Sequence, residues 1–446
     1  MSPMTEKSTH AKVDEAQTAA LELAKLDDDE RSAGLHAIAD AIDTRHEEIL
    51  EANEKDVEEA EALLEEGKYS QALVDRLKLS ESKLESITEM VRSVAAQDDP
   101  LEKTLASRRL DDDLELYKLA VPIGVIGTVF ESRPDALVQI AALSLKSGNA
   151  VMLKGGSEAS HSNRVLYDII VEATADKPDG WAQLIEARED VTAMLEMDDS
   201  IDLLMPRGSS EFVRYIQDNT SIPVLGHTEG VCHVYVDDAA DLEMAADIAY
   251  DAKVQYPAVC NAVETLLVHE DVAEAFLPEI AARYEDADVE LRGDDASRAI
   301  VEMADATEED WSTEYGDLIL SIKIVDSLEA AIDHITEYSS KHTESIVTED
   351  ADRASTFMRS LDSASVFHNA STRFSDGFRF GLGAEVGIST GKIHARGPVG
   401  LEGLTTYKYH LEGDGQVVGT YAGEDAKPFR HEEFDGDWTP GRLSQE

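Results

Sequence analysis

The 446-residue chain has only two cysteines, Cys232 and Cys260. That excludes a disulfide framework and fits a reducing compartment. Positive charge is scarce as well: 39 Lys+Arg face 93 Asp+Glu, for a formal charge of −54. The acidic excess is spread along the sequence, and such a surface repels nucleic acid and anionic membranes. It also repels itself at low salt, and screening relieves that repulsion. The composition therefore reads as adaptation to a salty cytoplasm. Long apolar runs are missing too. The most apolar stretch, residues 119–130, is short and interrupted by Pro122, Gly124 and Gly127, and residues 1–7 hold no apolar segment. No membrane span and no leader are expected, and the predicted location is cytoplasmic. Repeats, low-complexity segments, Gly-x-Gly-x-x-Gly and a phosphate-loop Gly-Lys-Ser/Thr are all absent from the sequence.

What is present suits a globular protein. Hydrophobic residues make up 42%, and the length calls for two or three domains. Residues 11–98 read as helices, with Leu35, Ile38, Ile42 and Ile49 on one helical face and Leu84, Ile87, Val91 and Val94 on another. Residues 27–30 are an acidic start signal for the first of these helices. After residue 110 the pattern changes. Strands are predicted at 114–119, 125–130, 150–153 and 202–205, and helices at 135–146 and 157–173, with Gly148 as a stop. Alternating strand and helix predicts a parallel, doubly wound sheet, which binds ligands beyond the carboxyl ends of its strands. From about Glu424 the chain turns polar and reads as a loose or surface-laid tail.

That topology singles out three strand-to-helix turns: 131–134 with Arg133, 154–157 with Lys154, and 207–210 with Arg207. Helix N-termini attract anions, so one reading is a phosphate-bearing ligand such as a nucleotide. The other is ordinary, well-capped loops. Cys260 lies in Pro257-Ala258-Val259-Cys260-Asn261-Ala262, ahead of a predicted strand at 264–268. A lone cysteine is commonly a small buried hydrophobe, but an irregular connection is where nucleophiles are presented. His227, Cys232 and His233 are not expected to bind metal, because adjacent strand residues point to opposite faces.

Residues 121–134 (VPIGVIGTVFESRP), 145–159 (LKSGNAVMLKGGSEA), 230–236 (GVCHVYV), 257–262 (PAVCNA), 369–374 (NASTRF), 380–388 (FGLGAEVGI), 394–398 (HARGP) and 404–408 (LTTYK) resemble the motifs of the gamma-glutamyl phosphate reductase family, in order, from about residue 10 to 420. This family is a branch of the aldehyde dehydrogenase superfamily. The resemblance implies an α/β, aldehyde dehydrogenase-like fold. A doubly wound, Rossmann-like cofactor-binding domain (1–105 and 121–225) would join an α/β catalytic domain (226–399), whose last part is a candidate to return to the first. Strands at 106–120 and 400–421 would form a small oligomerisation module, ahead of an acidic tail at 422–446.

It further implies NADPH-dependent reduction of L-glutamyl 5-phosphate to L-glutamate 5-semialdehyde and phosphate through a thioester on Cys260, the second step of proline biosynthesis. Lys154, Gly155, Ser157, Gly208, Ser209 and Glu314 are the implied NADPH/NADP-binding residues, with Lys154 at the adenosine ribose and Glu314 at the nicotinamide ribose. Arg133, Asn369, Arg373 and Arg396 are candidates for substrate binding, each Arg being alternatively a structural ion pair. No metal is expected. The implied partners are the small-molecule substrate and further copies of the chain, with association to a glutamate 5-kinase left open. Two departures from the superfamily stand out. Ser132 replaces an oxyanion-hole Asn, and Gly226 falls where hydrolytic members carry a water-activating Glu, with Glu229 close enough to shift that alignment. The competing readings are a hydrolytic aldehyde dehydrogenase acting on a semialdehyde, and a cysteine-dependent hydrolase or acyl transferase without nucleotide.

Overall fold

The computed structural model describes residues 7–186 and 188–439. They form two compact units. The first unit takes in residues up to Arg207, Asn219–Val224, and the chain from Gly400; the second takes in Gly208–Asp218 and Leu225–Val399.

In the first unit a four-stranded parallel sheet runs in the order Ala182–Leu184, Ala150–Gly155, Val125–Phe130, Leu203–Arg207. Val125–Phe130 is buried at every position, as an unbroken apolar run in the middle of a parallel sheet should be. Helix Pro134–Lys146, with proline in its first turn, lies wholly buried or nearly so.

The helical layer differs from the sequence reading in three places. A helix, Thr9–Leu23, capped by Ser8, precedes the acidic signal, so Asp27 caps the second helix, Asp28–Thr44, in a reciprocal box with Glu30. The run Leu35, Ile38, Ile42, Ile49 spans two helices, because Arg45 leaves helical geometry and Ile49 belongs to His46–Glu65. The expected helix 157–173 is a 3-10 turn, Ser157–Ala159, followed by Ser160–Ala173. Its cap comes from elsewhere in the chain. Asp56 accepts hydrogen bonds from the backbone N–H of His161 and Ser162 and from the Ser162 hydroxyl.

A second sheet of this unit is antiparallel, in the order Thr405–Gly413, Leu114–Pro122, Thr104–Asp111, Glu432–Glu433. The polar tail is laid on it. Glu432 and Glu433 pair with Arg109 and Arg108, the Ser107 hydroxyl donates to the carbonyls of Phe434 and Gly436, and Phe434 meets Tyr117 edge-on at 5.8 Å. Residues 440–446 of the tail lie outside the described residues.

The second unit holds a seven-stranded sheet in the order Ala304–Asp305, Glu290–Gly293, Ile319–Val325, Val263–His269, Cys232–Val236, Thr343–Val347, Ser365–His368, with every pairing parallel. Val234, Leu266, Leu320, Phe276, Leu277 and Ile280 are among the residues of its core, each worth roughly 1.5–3 kcal/mol on burial. Among the described residues, no helix is long and apolar enough to cross a membrane.

Candidate active site

Cys260 sits on the connection between helix Leu242–Val254 and strand Val263–His269. The two ends of that connection are tied by a fully buried ion pair, Lys253 to Glu264 at 2.6 Å. Burial pushes the Glu264 carboxyl up to about 7, and the lysine opposes that rise. This pair has no signature in the sequence, since eleven positions separate its members.

The cysteine backbone is gripped from two more sides. Gly230 packs so closely that a Cβ there would lie 2.1 Å from the Cys260 carbonyl oxygen, and no other residue fits. Glu314 accepts the Gly230 N–H at 2.9 Å. Cys232 donates its thiol to the Cys260 carbonyl at 3.2 Å. Asn261 donates to the carbonyl of Ser375 at 2.8 Å. The two cysteines therefore differ in kind. Cys232 is fully buried, and burial pushes its thiol well above the ordinary value. Cys260 is half-buried.

Two imidazoles flank Cys260 that the sequence analysis did not bring to it. One coordinating atom each of His227, Cys260 and His342 lies within 4.8 Å of the others. His227 was visible only as part of a rejected metal set. His342 carries no local signal, because it reaches the cysteine from strand Thr343–Val347, across the neighbouring strand Cys232–Val236.

The candidate arginines separate clearly. Arg373 is 6% exposed and its Nε donates to Gln255 at 3.0 Å. Burial lowers its pKa, and Cys260 is near enough to interact with it electrostatically. Among the described residues it has no carboxylate partner in an ion pair. Arg396 is instead bound to Asp362, through a side-chain contact of 2.9 Å and the backbone carbonyl at 2.8 Å. Lys392 and then Arg396 hold the Asp362 carboxyl down to about 2. Asp362, 34 positions away in the chain, folds back onto Arg396 in the structural ion pair that was the alternative for this residue. Asn369 is likewise committed. It stands at φ 54°, and both ends of its amide bond the backbone of Thr348. Glu229 faces Arg214 at 3.3 Å, and Gly226 offers no side chain.

In the first unit, Lys154 and Gly155 end a central strand. Lys154 is 8% exposed, its ammonium donates to the Gly155 carbonyl, and it has no ion pair among the described residues. Burial lowers its pKa. A Cβ on Gly155 would meet the Asn163 amide at 2.1 Å and one on Gly156 the Glu158 carboxylate at 2.0 Å, so a larger residue at either place would displace those side chains. Ser157 opens the 3-10 turn behind it. A buried cation without a carboxylate, at the carboxyl edge of a parallel sheet, fits an anionic cofactor. Arg133, half-buried at the start of helix Pro134–Lys146, also has no ion pair among the described residues. Ser132 stands at φ 49°, and both its N–H and its hydroxyl go to Glu158, at 2.6 and 2.9 Å. Gly208 and Ser209, just before helix Ser210–Asp218, fall in the second unit.

A nucleotide-friendly parallel sheet and a clamped, half-exposed cysteine define a class, and comparison with known proteins agrees with it. The model of the aldehyde dehydrogenase family matches residues 1–304. The gamma-glutamyl phosphate reductase of Natronomonas pharaonis is 80% identical over 98% of this chain and 100% of its own. That of Haloquadratum walsbyi is 70% identical over 97% of this chain and 96% of its own. The crystal structure of gamma-glutamyl phosphate reductase from Thermotoga maritima superposes with a TM-score of 0.89 at 41% identity, covering 92% of this chain and 100% of that one. The chain belongs to the gamma-glutamyl phosphate reductase branch of the aldehyde dehydrogenase family. It is an oxidoreductase with the aldehyde dehydrogenase-like α/β fold, and the family implies a nicotinamide cofactor.

Proposed function

We propose that this protein reduces L-glutamyl 5-phosphate to L-glutamate 5-semialdehyde and phosphate with NADPH, the second step of proline biosynthesis, by way of a thioester on Cys260. The observation that carries this reading is the pairing of a half-exposed, backbone-clamped cysteine with Arg373, a buried cation without a carboxylate. Such a cation suits an anionic acyl substrate.

The thiol proton passes to a flanking imidazole. His227 suits this, because its Nδ1 faces the carbonyl of Ile388 at 2.9 Å. With that nitrogen donating, Nε2 holds the lone pair. The thiolate attacks the acyl carbon, the bond to the phosphate oxygen breaks, and phosphate leaves. The backbone N–H of Cys260 steadies the developing oxyanion. When bound, the nicotinamide cofactor supplies the hydride that this chain's side chains lack. Collapse of the reduced adduct breaks the C–S bond and returns the Cys260 thiolate. Lys154, with Gly155 and Ser157, would hold the ribose and 2′-phosphate of NADPH. Gly208 and Ser209 would contact its other phosphates, and Glu314 the nicotinamide ribose through its second carboxylate oxygen.

In this reading residues 1–105 and 121–225 bind cofactor, 226–399 carry the nucleophile, and the strands within 106–120 and 400–421 assemble copies of the chain. Edge strand Thr405–Gly413 supports the last assignment, since Tyr407, Tyr409 and Leu411 are each at least half exposed on it. A glutamate 5-kinase would be the natural donor of so unstable a substrate. The test is NADPH oxidation with freshly generated L-glutamyl 5-phosphate in molar KCl. One phosphate released per NADPH oxidised is expected. Enzyme-catalysed consumption of many equivalents of the acyl phosphate per site without cofactor, above the uncatalysed rate, would contradict the proposal.

A further inference from the structure

Three side chains from distant parts of the second unit converge at the thiol. The coordinating atoms of His227, Cys260 and His342 all lie within 4.8 Å of one another, and the two rings meet edge to face with centroids 5.2 Å apart. One nitrogen of each ring is already held. His227 Nδ1 faces the Ile388 carbonyl at 2.9 Å. His342 Nδ1 faces the Thr343 hydroxyl at 2.8 Å. Bonds of that kind fix a ring and its tautomer when the other nitrogen ligates a metal. The other nitrogen of His342 has no hydrogen-bond partner among the described residues: the residue is fully buried, yet Nε2 makes no hydrogen bond. A buried polar atom left unsatisfied is uncommon and calls for a ligand.

We propose that Cys260, His227 and His342 form a binding site for a thiophilic divalent cation of the zinc class, and that the ion caps the nucleophile. One thiolate and two imidazoles with an open fourth position are a standard zinc ligand set. Tetrahedral zinc with bonds of about 2.0–2.3 Å spaces its ligand atoms by roughly 3.4–3.8 Å, so the three groups close by side-chain adjustments on the order of 1 Å. Binding replaces the thiol proton, which goes to solvent, by a sulfur–metal bond. The same site that makes the thiolate available would then let free zinc silence it reversibly. That consequence rests on Cys260 being the nucleophile, whereas the metal site itself does not. It is also distinct from the adjacent His227, Cys232 and His233 set, since Cys232 Sγ is spent on the Cys260 carbonyl and His233 on Glu344.

Cobalt(II) tests it, because a thiolate ligand gives a near-ultraviolet charge-transfer band that the many surface carboxylates cannot give. The chelator-treated protein, in molar KCl to screen that surface, is titrated with CoCl2. One equivalent per chain with the thiolate band is expected. The band should vanish in Cys260→Ser and persist in Cys232→Ser. Affinity should fall roughly 10-fold or more in His342→Gln. His227→Gln, at a half-buried position, is the companion variant should the buried change disturb folding, which circular dichroism reports. No band, a band surviving in Cys260→Ser, or affinity unchanged in both histidine variants would overturn the site. Zn2+ inhibition reversed by EDTA would extend it to turnover. If the band forms at Cys260 while Cys260→Ser still turns over, the metal site stands and the nucleophile falls. If Cys260→Ser is dead and the wild-type band is absent, the reverse holds.

Discussion

The two cysteines are set apart by burial: Cys232 is fully buried and Cys260 half-buried. Cys260 could be singled out because its segment is turn-like and matches a family motif, and the structure adds what separates it from Cys232: exposure. Cys260→Ala is expected to abolish turnover while fold and cofactor binding persist, because only the covalent step is removed. Cys232→Ala should keep most activity, since it loses one weak S–H donor. Equal loss in both, measured as NADPH oxidation, would assign Cys260 a structural role. Arg373 and Arg396 looked alike in sequence. Only the fold delivers Asp362 to one of them and leaves the other buried beside Gln255. A charge-assisted hydrogen bond is worth about 1.5–3 kcal/mol, so Arg373→Ala should lower kcat/KM about 10- to 100-fold. Arg396→Ala should act chiefly on stability. A larger kinetic loss in Arg396→Ala than in Arg373→Ala would reverse that assignment. Lys154→Ala should weaken NADPH more than NADH, and dissociation constants that change equally for both would remove it from the 2′-phosphate.

At the scale of elements, the parallel strands predicted at 125–130, 150–153, 202–205 and 264–268 were readable because each is a short apolar run next to a turn, whereas Ala182–Leu184 and the parallel strands from Glu290 on were not read. The helical layer was read less well, since its breaks are set by tertiary partners: Asp56 caps a helix about a hundred residues away. The same holds for the buried Lys253–Glu264 pair that brackets the cysteine loop. Removing one partner of a buried pair costs about 3–5 kcal/mol, so Lys253→Met should lower unfolding stability by that order and loosen the loop. Chemical denaturation in high salt measures it, and an unchanged midpoint would mean that the pair is dispensable. The tail offers a pH prediction. Asp111 binds Lys427 and Tyr421, which lowers its carboxyl from 3.8 to about 2. A depressed folded value stabilises docking above the unfolded value and loses that contribution as pH falls through the folded one. The tail should therefore loosen as pH drops from about 4 to about 2. Asp111→Asn should loosen it already at neutral pH. Limited proteolysis reads both, and a tail equally protected in the variant would exclude Asp111 as its anchor.

For the whole molecule, the charge of −54 was legible at once, and its meaning concerns solvent rather than fold. Ion pairs recruit many of the few cations, and Arg353, for one, is shared by Asp237, Asp238 and Asp350. The remaining carboxylates repel one another until salt shortens their reach, to about 3 Å at 1 M. The relatives from Natronomonas and Haloquadratum are from halophilic archaea, in keeping with that charge. Thermal melts at rising KCl should climb into the molar range, and a midpoint independent of salt would contradict the reading.

The thioester proposed on Cys260 serves reduction or phosphate, and not water. By resemblance Gly226 falls where hydrolytic members carry a general base, and Glu229 pairs with Arg214. Positioned general-base catalysis contributes roughly 10²–10⁴-fold, so hydrolysis should be slow without it. The direct measurement is NADP⁺ reduction by the enzyme with L-glutamate 5-semialdehyde, with and without phosphate, in molar KCl. Steady turnover with phosphate, and at most one hydride transfer per site without it, is the predicted result. Steady production of glutamate in the absence of phosphate would contradict it.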